Sequence, residues 1–510
     1  MSVTPASDSS TWLKRFWWLL AAVFIARIGV MLLFVSGTDL AGDEAYYWDW
    51  GRRPDWCYYS KPPMIGWMMG VIGWLTGNAE WGIRFAALLL GTTTLVVIHR
   101  IALVLFDAKT AFLTAVLVLL TIANAGLNLL LTIDAPLLLS WTLGLLLFWH
   151  AAQKPTCNTR WLALALVIGI GTLSKQMMLA FPALMLLFAV VSREDRGLLR
   201  NARMWAAMLL GMAFIIPVLR WNQAHAWITL EHTKHHFDAQ SLGVGKWLGR
   251  TLENVGLQAL IYTPVTFVAL VAAMIVAVKQ RARLTRPALF LMLASAPALA
   301  CFALLALRQR INPNWPAAFF VPAFVLAAAW IRGWLPTKAN PAWERWSLRI
   351  GGALTLIVHL VLVIVFSTQL KGIDRLASLR GWRESGIEAQ KFLDQVPRKD
   401  KTFVMALGHR YHAAEMAFYM PSHPRVYRWE PSGTTQSQYE IWPGPEERIG
   451  DDALILLPAA GEVTVLNSEV AEAFEAVEHL GRIHIPQSGE SRDFSVFLGR
   501  NLKSWKEIRP

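Results

Sequence analysis

The sequence predicts a mainly α fold: a polytopic membrane helical bundle of about 11 transmembrane helices, followed by a small C-terminal extracytoplasmic α/β domain. Three observations carry this. The 510 residues are 55% hydrophobic and only 16% charged, and their mean hydropathy is +0.40, outside the range of an ordinary soluble protein. The apolar residues gather into runs, of which those of about 20 residues suffice to cross a hydrocarbon core roughly 30 Å thick. From about 368 to 510 the pattern changes to short strand-like and helix-like segments.

The first run, Phe16 to Val35, follows Lys14 and Arg15. It is longer than a signal-peptide core of about 7 to 15 residues and lacks a clear small-residue cleavage site, so it reads as an uncleaved helix. Further helices are expected near 85 to 105, 110 to 131, 135 to 151, 161 to 173, 177 to 191, 204 to 220, 257 to 278, 287 to 307, 316 to 333 and 350 to 367. Ser174, Lys175 and Gln176 interrupt the stretch from 161 to 191. The loops on both sides of it are basic, so the chain must enter and return there as a short hairpin.

The formal charge is +13, but the basic clusters (Lys154 and Arg160; Arg193, Arg196, Arg200 and Arg203; Lys279, Arg281, Arg283 and Arg286; Lys338, Arg345 and Arg349) fall in alternate loops, as the positive-inside rule requires. The charge is therefore topological, and nucleic acid is not an expected partner. The three cysteines, Cys57, Cys157 and Cys301, fall in different environments and imply no disulfide framework. No GxxxxGK[ST] loop is present, so nucleotide hydrolysis has no visible machinery.

The expected division is a membrane domain over 1–367, with outer loops 36–84 and 221–256, and a soluble domain over 368–510. In the latter, Thr402 to Leu407, Arg425 to Trp429, Ala453 to Leu457 and Phe494 to Leu498 read as strands, and Leu379 to Val396 and His412 to Met420 as helices. An odd number of crossings from an inside N-terminus puts this domain on the outer face, together with both loops and 308–315.

Chemistry is sought on that face. Asp43 and Glu44 lie just beyond the first helix, where a carboxylate could take the proton of an incoming hydroxyl; the alternative is a pair of solvated loop acids. Lys61 precedes Pro62 and Pro63, which restrict its backbone and would present its ammonium rigidly to a phosphate. Arg84, Lys175, Arg308 and Arg310 also fall on the outer side, against the positive-inside trend, and the five cations together favour an anionic ligand; singly, each could be an interfacial cation. Asp134, in TIDAPLLL, lies between two apolar runs and could instead be a helix N-cap. The loop LEHTKHHFD offers Glu231, His232, His235, His236 and Asp238 for an acceptor or a metal but has no strict zinc spacing. The tryptophans at 48, 50, 56, 67, 74 and 81 suit an interfacial belt.

These residues resemble the membrane glycosyltransferases of the GT-C superfamily, in the protein O-mannosyltransferase-like branch that includes the lipid A aminoarabinose transferase. The resemblance rests on GDEAYYWDW, YYSKPPMIGW, EWGIRFAALLLG, TIDAPLLL, LSKQMMLAFPAL and RQRINPNWPAAFF, covering most of residues 14 to 330. It implies an inverting transferase that passes a sugar from a polyprenyl phosphate to a hydroxyl of a lipid, glycan or protein acceptor, in the bacterial cytoplasmic membrane with the site facing the periplasm. It further implies Asp43 as catalytic carboxylate with Glu44 beside it, and Lys61 and Lys175 on the leaving phosphate, supported by Arg84. Asp134 would position the acceptor or a catalytic cation. In the aminoarabinose transferase a glutamate before the Lys-Pro element shares a zinc with histidines; here that position is Ser60. No cofactor is thereby fixed, and a divalent cation stays open. The alternative from another class, a transporter or flippase of lipid-linked saccharides, would want ionisable residues at the bilayer midplane, whereas these runs keep their charges at the ends.

Overall fold

The computed structural model describes residues 6–235, 244–367, 377–487 and 491–506. Every apolar run foreseen above is realised as a helix or a pair of helices. By length and composition, five of the described helices could cross a bilayer singly: Ser9–Gly37, Glu80–Leu105, Asp134–Gln153, Ala202–Ala224 and Arg286–Ala306. A sixth span forms if Val244–Ile261 and Pro264–Lys279, bent by 105°, count as one. The other expected crossings fall on helices that are short, broken or less uniformly apolar. The run at 110 to 131 breaks at Thr121, whose hydroxyl accepts the Asn124 N–H at 3.2 Å and caps a new helix, Ile122–Leu127. The bent pair turns at Thr263, a non-glycine residue with φ of 61°, immediately before Pro264. Within 36 to 84 the structure adds an apolar helix, Met64–Thr76, not foreseen from the sequence.

The chain divides into two compact units, and the division does not follow the single cut after 367 expected from the sequence. One unit comprises Met1–Met31, Arg84–Val218 and Lys234–Val361; the other gathers Leu32–Ile83, Leu219–Thr233 and Leu362–Pro510.

The membrane unit is built around Ala317–Ile331, in which nearly every side chain is buried, as a helix apolar on all sides requires. Trp141 packs edge-on against Phe181 and Phe319, with ring centroids 5.1 and 4.9 Å away. Small residues let neighbouring helices approach: a Cβ on Gly169 would lie 2.5 Å from the Phe214 ring, and one on Gly211 2.7 Å from Ile168.

The second unit contains a five-stranded sheet: β1 (Thr402–Ala406), β2 (Val426–Arg428), β3 (Asp452–Pro458), β4 (Phe474–Ile485) and β5 (Arg492–Leu502), in the order β2-β1-β3-β5-β4. β1 runs parallel to β2 and β3, while β5 is antiparallel to β3 and β4. Four strands match those expected. β4 was not foreseen because it is an edge strand with Glu475, Glu478, His479, Arg482 and His484 along it, a charge pattern that hides a strand and protects an edge. The Trp382–Gln395 and Arg410–Tyr419 helices correspond to the two expected ones.

The Arg410–Tyr419 helix packs against Gly42–Gly51, the helix that opens the outer loop. Beside it lies a buried acidic group. Asp39 accepts the Trp382 N–H at 2.7 Å, Glu80 pairs with Arg383 at 2.6 Å, and Glu415 is fully buried, with neither carboxyl oxygen hydrogen-bonded among the described residues. Burial pushes Asp39 up to about 6. Burial first, and then Asp39, hold Glu415 well above the carboxylate range. A carboxyl that keeps its proton more tightly when folded loses stability as pH rises above its unfolded value. Glu415→Gln is thus expected to gain stability over wild type between pH 5 and 8, by up to about 1.4 kcal/mol per pH unit. Thermal unfolding in micelles across that range checks this; a difference independent of pH would show that Glu415 does not titrate with folding.

Candidate active site

In the second unit the site is organised by the Gly42–Gly51 helix. Its N-terminus places two adjacent carboxylates in different surroundings. Glu44 is fully buried, and its Oε2 accepts the Ala41 N–H at 3.1 Å, a structural task at the start of the helix. Asp43 is half-buried, and its Oδ1 accepts the Tyr411 hydroxyl at 2.9 Å. Burial, followed by the Asp43 charge, raises Tyr411 to about 12, so the phenol remains a donor at neutral pH. Tyr411 reaches Asp43 because Gly42 has no side chain: a Cβ there would lie 2.4 Å from the Tyr411 ring. Further along, the Tyr46 hydroxyl accepts the Gln438 N–H at 2.5 Å, and Asp49 accepts the Tyr439 hydroxyl at 2.8 Å.

Lys61 is half-buried. Its backbone exchanges hydrogen bonds with Tyr58, N–H to O, at 3.0 and 3.4 Å, and Pro62 and Pro63 are buried behind it. The following Met64–Thr76 helix meets Gly42–Gly51 backbone to backbone; a Cβ on Gly51 would lie 2.4 Å from the Gly70 nitrogen. The lysine therefore leaves a fixed stretch of chain, as the Lys-Pro-Pro pattern suggests.

Glu231 and His232 lie on the Ile228–His235 helix, Glu231 exposed and His232 with its ring 4.8 Å from that of Tyr59. The side chain of His235, and His236 and Asp238 altogether, lie outside the described residues. Neighbouring bonds tie this segment to the outer loop: Trp221 donates to Asp55 at 2.7 Å, and Thr229 to the Tyr58 carbonyl at 3.0 Å. Among the described residues no three His, Cys, Asp or Glu side chains converge as a metal ion would require.

The membrane unit holds the remaining candidates. Asp134 is buried at the first turn of Asp134–Gln153 but caps nothing: the cap position is Ile133, and no side chain fills it. Its Oδ1 instead accepts Lys175 Nζ at 2.7 Å, and its Oδ2 accepts Asn314 Nδ2 at 2.6 Å. Lys175 stands in extended conformation between Asn158–Ser174 and the turn Gln176–Leu179. Arg84 is almost wholly buried and donates to the Leu129 carbonyl at 3.1 Å, bracing the chain that leads into Asp134. Arg310 pairs with Glu253 at 2.6 Å in an exposed position, and Arg308 is exposed. Asn254 bonds the carbonyls of Ala306 and Gln309 and the Ile311 N–H, and Gln258 bonds the Pro313 carbonyl, which fixes the segment carrying Asn314. Beside it, an apolar cavity of about 460 Å³ runs from Asn254, Gln258, Ile311 and Pro316 along Phe267, Met274 and Phe302.

The sequence reading did not foresee Tyr411, Arg410 or Asn314. Asn314 lay within the matched RQRINPNWPAAFF, whereas the other two sit in a segment that matched no motif. The profile of the dolichyl-phosphate-mannose-protein mannosyltransferase family matches residues 60–221. With the apolar helices and the carboxylate-bearing outer loop, this defines a polytopic membrane glycosyltransferase. Over these residues the chain is similar to the protein O-mannosyltransferase-like glycosyltransferases of the GT-C superfamily. It is 27% identical to a lipid A galacturonosyltransferase of Rhizobium johnstonii over 81% of this chain and 84% of that one. Its fold is that of ArnT from Cupriavidus metallidurans. The apo structure superposes with a TM-score of 0.59 at 17% identity, and the structure with undecaprenyl phosphate with 0.61 at 16%; each covers 94% of this chain and 97% of the other.

The Gly42 contact yields a test. Gly42→Ala should expel the Tyr411 ring and reduce turnover on the order of 10²-fold. Because both changes break one contact, Gly42→Ala combined with Tyr411→Ala should be no worse than the more damaging single variant. Additive losses in the double variant would show that the glycine acts elsewhere.

Proposed function

We propose that the protein transfers a hexuronosyl group from a polyprenyl-phosphate carrier to a hydroxyl of a lipid A-type glycolipid, at the outer face of the bacterial cytoplasmic membrane. The sugar and acceptor follow from the galacturonosyltransferase relative, and the carrier from the likeness to the ArnT complex. The observation that carries the chemistry is Asp43: one carboxylate oxygen is held by Tyr411, and among the described residues the other is left to meet a hydroxyl.

In this reading Asp43 accepts the acceptor proton as the acceptor oxygen attacks the anomeric carbon. The bond from that carbon to the phosphate oxygen breaks, its electron pair leaves with the phosphate, and configuration inverts. As the anomeric carbon becomes cationic the phosphate gains charge, which is the larger stabilisation the protein must supply. Lys61 is assigned to that phosphate. In the membrane unit taken by itself, the apolar cavity is assigned to lipid hydrocarbon, and Lys175 and Arg308 to lipid head-group phosphates. Asp134 keeps Lys175 in place, and Arg84 braces the chain before it. Arg310, already paired with Glu253, receives no direct role.

With purified enzyme, a polyprenyl-phosphate hexuronic acid and lipid A in micelles, Asp43→Asn should lower kcat by about 10²- to 10⁴-fold while leaving the donor Kd unchanged. Wild-type turnover retained by this variant would remove Asp43 from the base role. Lys61→Ala should weaken donor binding roughly tenfold, read by titration with the donor; an unchanged Kd would leave this lysine as an interfacial anchor.

A further inference from the structure

Arg410 opens the Arg410–Tyr419 helix, half-buried, and makes no ion pair with a carboxylate among the described residues. Other arginines of the same unit do: Arg428 with Glu430 and Glu440, Arg383 with Glu80, and Arg398 with Asp452. Arg410 is fixed instead by rings, lying 5.4 Å from the centroid of Tyr46 and 5.0 Å from that of Tyr411. Its Nη2 lies 3.4 Å from the Tyr411 hydroxyl, and its Nε is buried with no acceptor. A guanidinium held in one place by two phenols and short of acceptors suits an oxyanion that arrives with a ligand.

A single phenol connects this cation to the proposed base. The Tyr411 hydroxyl accepts from Arg410 and donates to Asp43. In a hexuronosyl group the carboxylate is carried on C5, and C5 is joined to the anomeric carbon through the ring oxygen alone. A base serving the anomeric carbon and a cation serving that carboxylate must therefore be close neighbours. Charge balance favours the same, since an anionic sugar brought to the start of the Gly42–Gly51 helix meets the half-buried Asp43, and that like charge repels it unless a cation intervenes.

We infer that Arg410 is a specificity-determining residue that binds the carboxylate of the transferred sugar. This assignment rests on the uronosyl donor proposed above. The test compares two donors on the same polyprenyl phosphate, a hexuronic acid and the hexose obtained by reducing its carboxyl group, with wild type, Arg410→Gln and Arg410→Lys. Wild type should prefer the uronosyl donor. In Arg410→Gln, kcat/KM should fall roughly 10- to 100-fold for the uronosyl donor and less than about threefold for the hexosyl donor. Arg410→Lys should restore part of the preference, since it keeps the charge and loses the fork.

An equal loss with both donors would overturn the assignment and place Arg410 on the phosphate, the acceptor or the fold, groups that the two donors share. Unchanged kinetics with both would overturn it as well. Wild-type inactivity with both donors would be a different failure: it would overturn the donor reading and take the assignment with it.

Discussion

The contact on which the second unit depends is the one between Tyr411 and the bare backbone at Gly42. It joins residues 368 positions apart through the hydrogen bond to Asp43, and no side chain larger than hydrogen fits at its base. It does not act alone. Tyr419 accepts the Leu40 N–H at 2.7 Å, Arg380 donates to the Gly37 carbonyl at 2.8 Å, and Gln438 and Tyr439 hold Tyr46 and Asp49. The acidic helix follows a membrane span, yet most of the groups that orient it come from the C-terminal third of the chain. A carboxylate that must meet a hydroxyl within hydrogen-bond distance gains from such support, because a group on an unsupported loop would sample many unproductive positions.

The membrane unit solves a related problem under a harsher constraint. A charge in an apolar bundle is costly unless it is paired and its remaining sites are satisfied. Asp134 meets that condition with Lys175 on one oxygen and Asn314 on the other, and Arg84 with the Leu129 carbonyl. The segment carrying Asn314 has no regular structure of its own, and the amides of Asn254 and Gln258 supply the bonds its backbone lacks. Lys175 is consequently an anchored cation and only partly exposed. In the proposed reading it attends a head-group phosphate without leaving its carboxylate.

What was legible in the sequence divides along physical lines. Apolar runs and basic loops gave the helices of the bundle, because length and hydropathy are summed over many residues and survive local errors. The same sums could not show that the run at 110 to 131 breaks at Thr121, or that the chain turns by 105° near Thr263, since each depends on one residue. Asp43, Glu44, Lys61 and Asp134 stood out because charges beside apolar runs are rare. Tyr411 and Arg410 did not, because a tyrosine and an arginine in a soluble segment are ordinary until folding sets them beside Asp43. Nor could the sequence separate Asp43 from Glu44. Consecutive residues on a helix point in directions roughly 100° apart, and only the packed structure shows that one of them is half-buried and the other enclosed.

The loop around Lys61 bears on how this chain departs from its relatives. Where the aminoarabinose transferase resemblance implies a zinc tying the Lys-Pro segment to a histidine loop, this chain has Ser60, and the described side chains form no such donor set. The two segments are nevertheless joined. His232 packs on Tyr59, Thr229 donates to the Tyr58 carbonyl, Asn222 bonds Cys57, and Trp221 bonds Asp55. These hydrogen bonds, one of them to the Asp55 carboxylate, and one ring contact hold the chain next to Lys61 against the Leu219–Thr233 segment. The arrangement has an electrostatic consequence. In the proposed reading the second unit brings two cations to the ligand, Lys61 to the phosphate and Arg410 to the sugar carboxylate. Two separate cations can read two separate anionic groups, a phosphate and a carboxylate, and discrimination between sugars then depends on where the second of them stands.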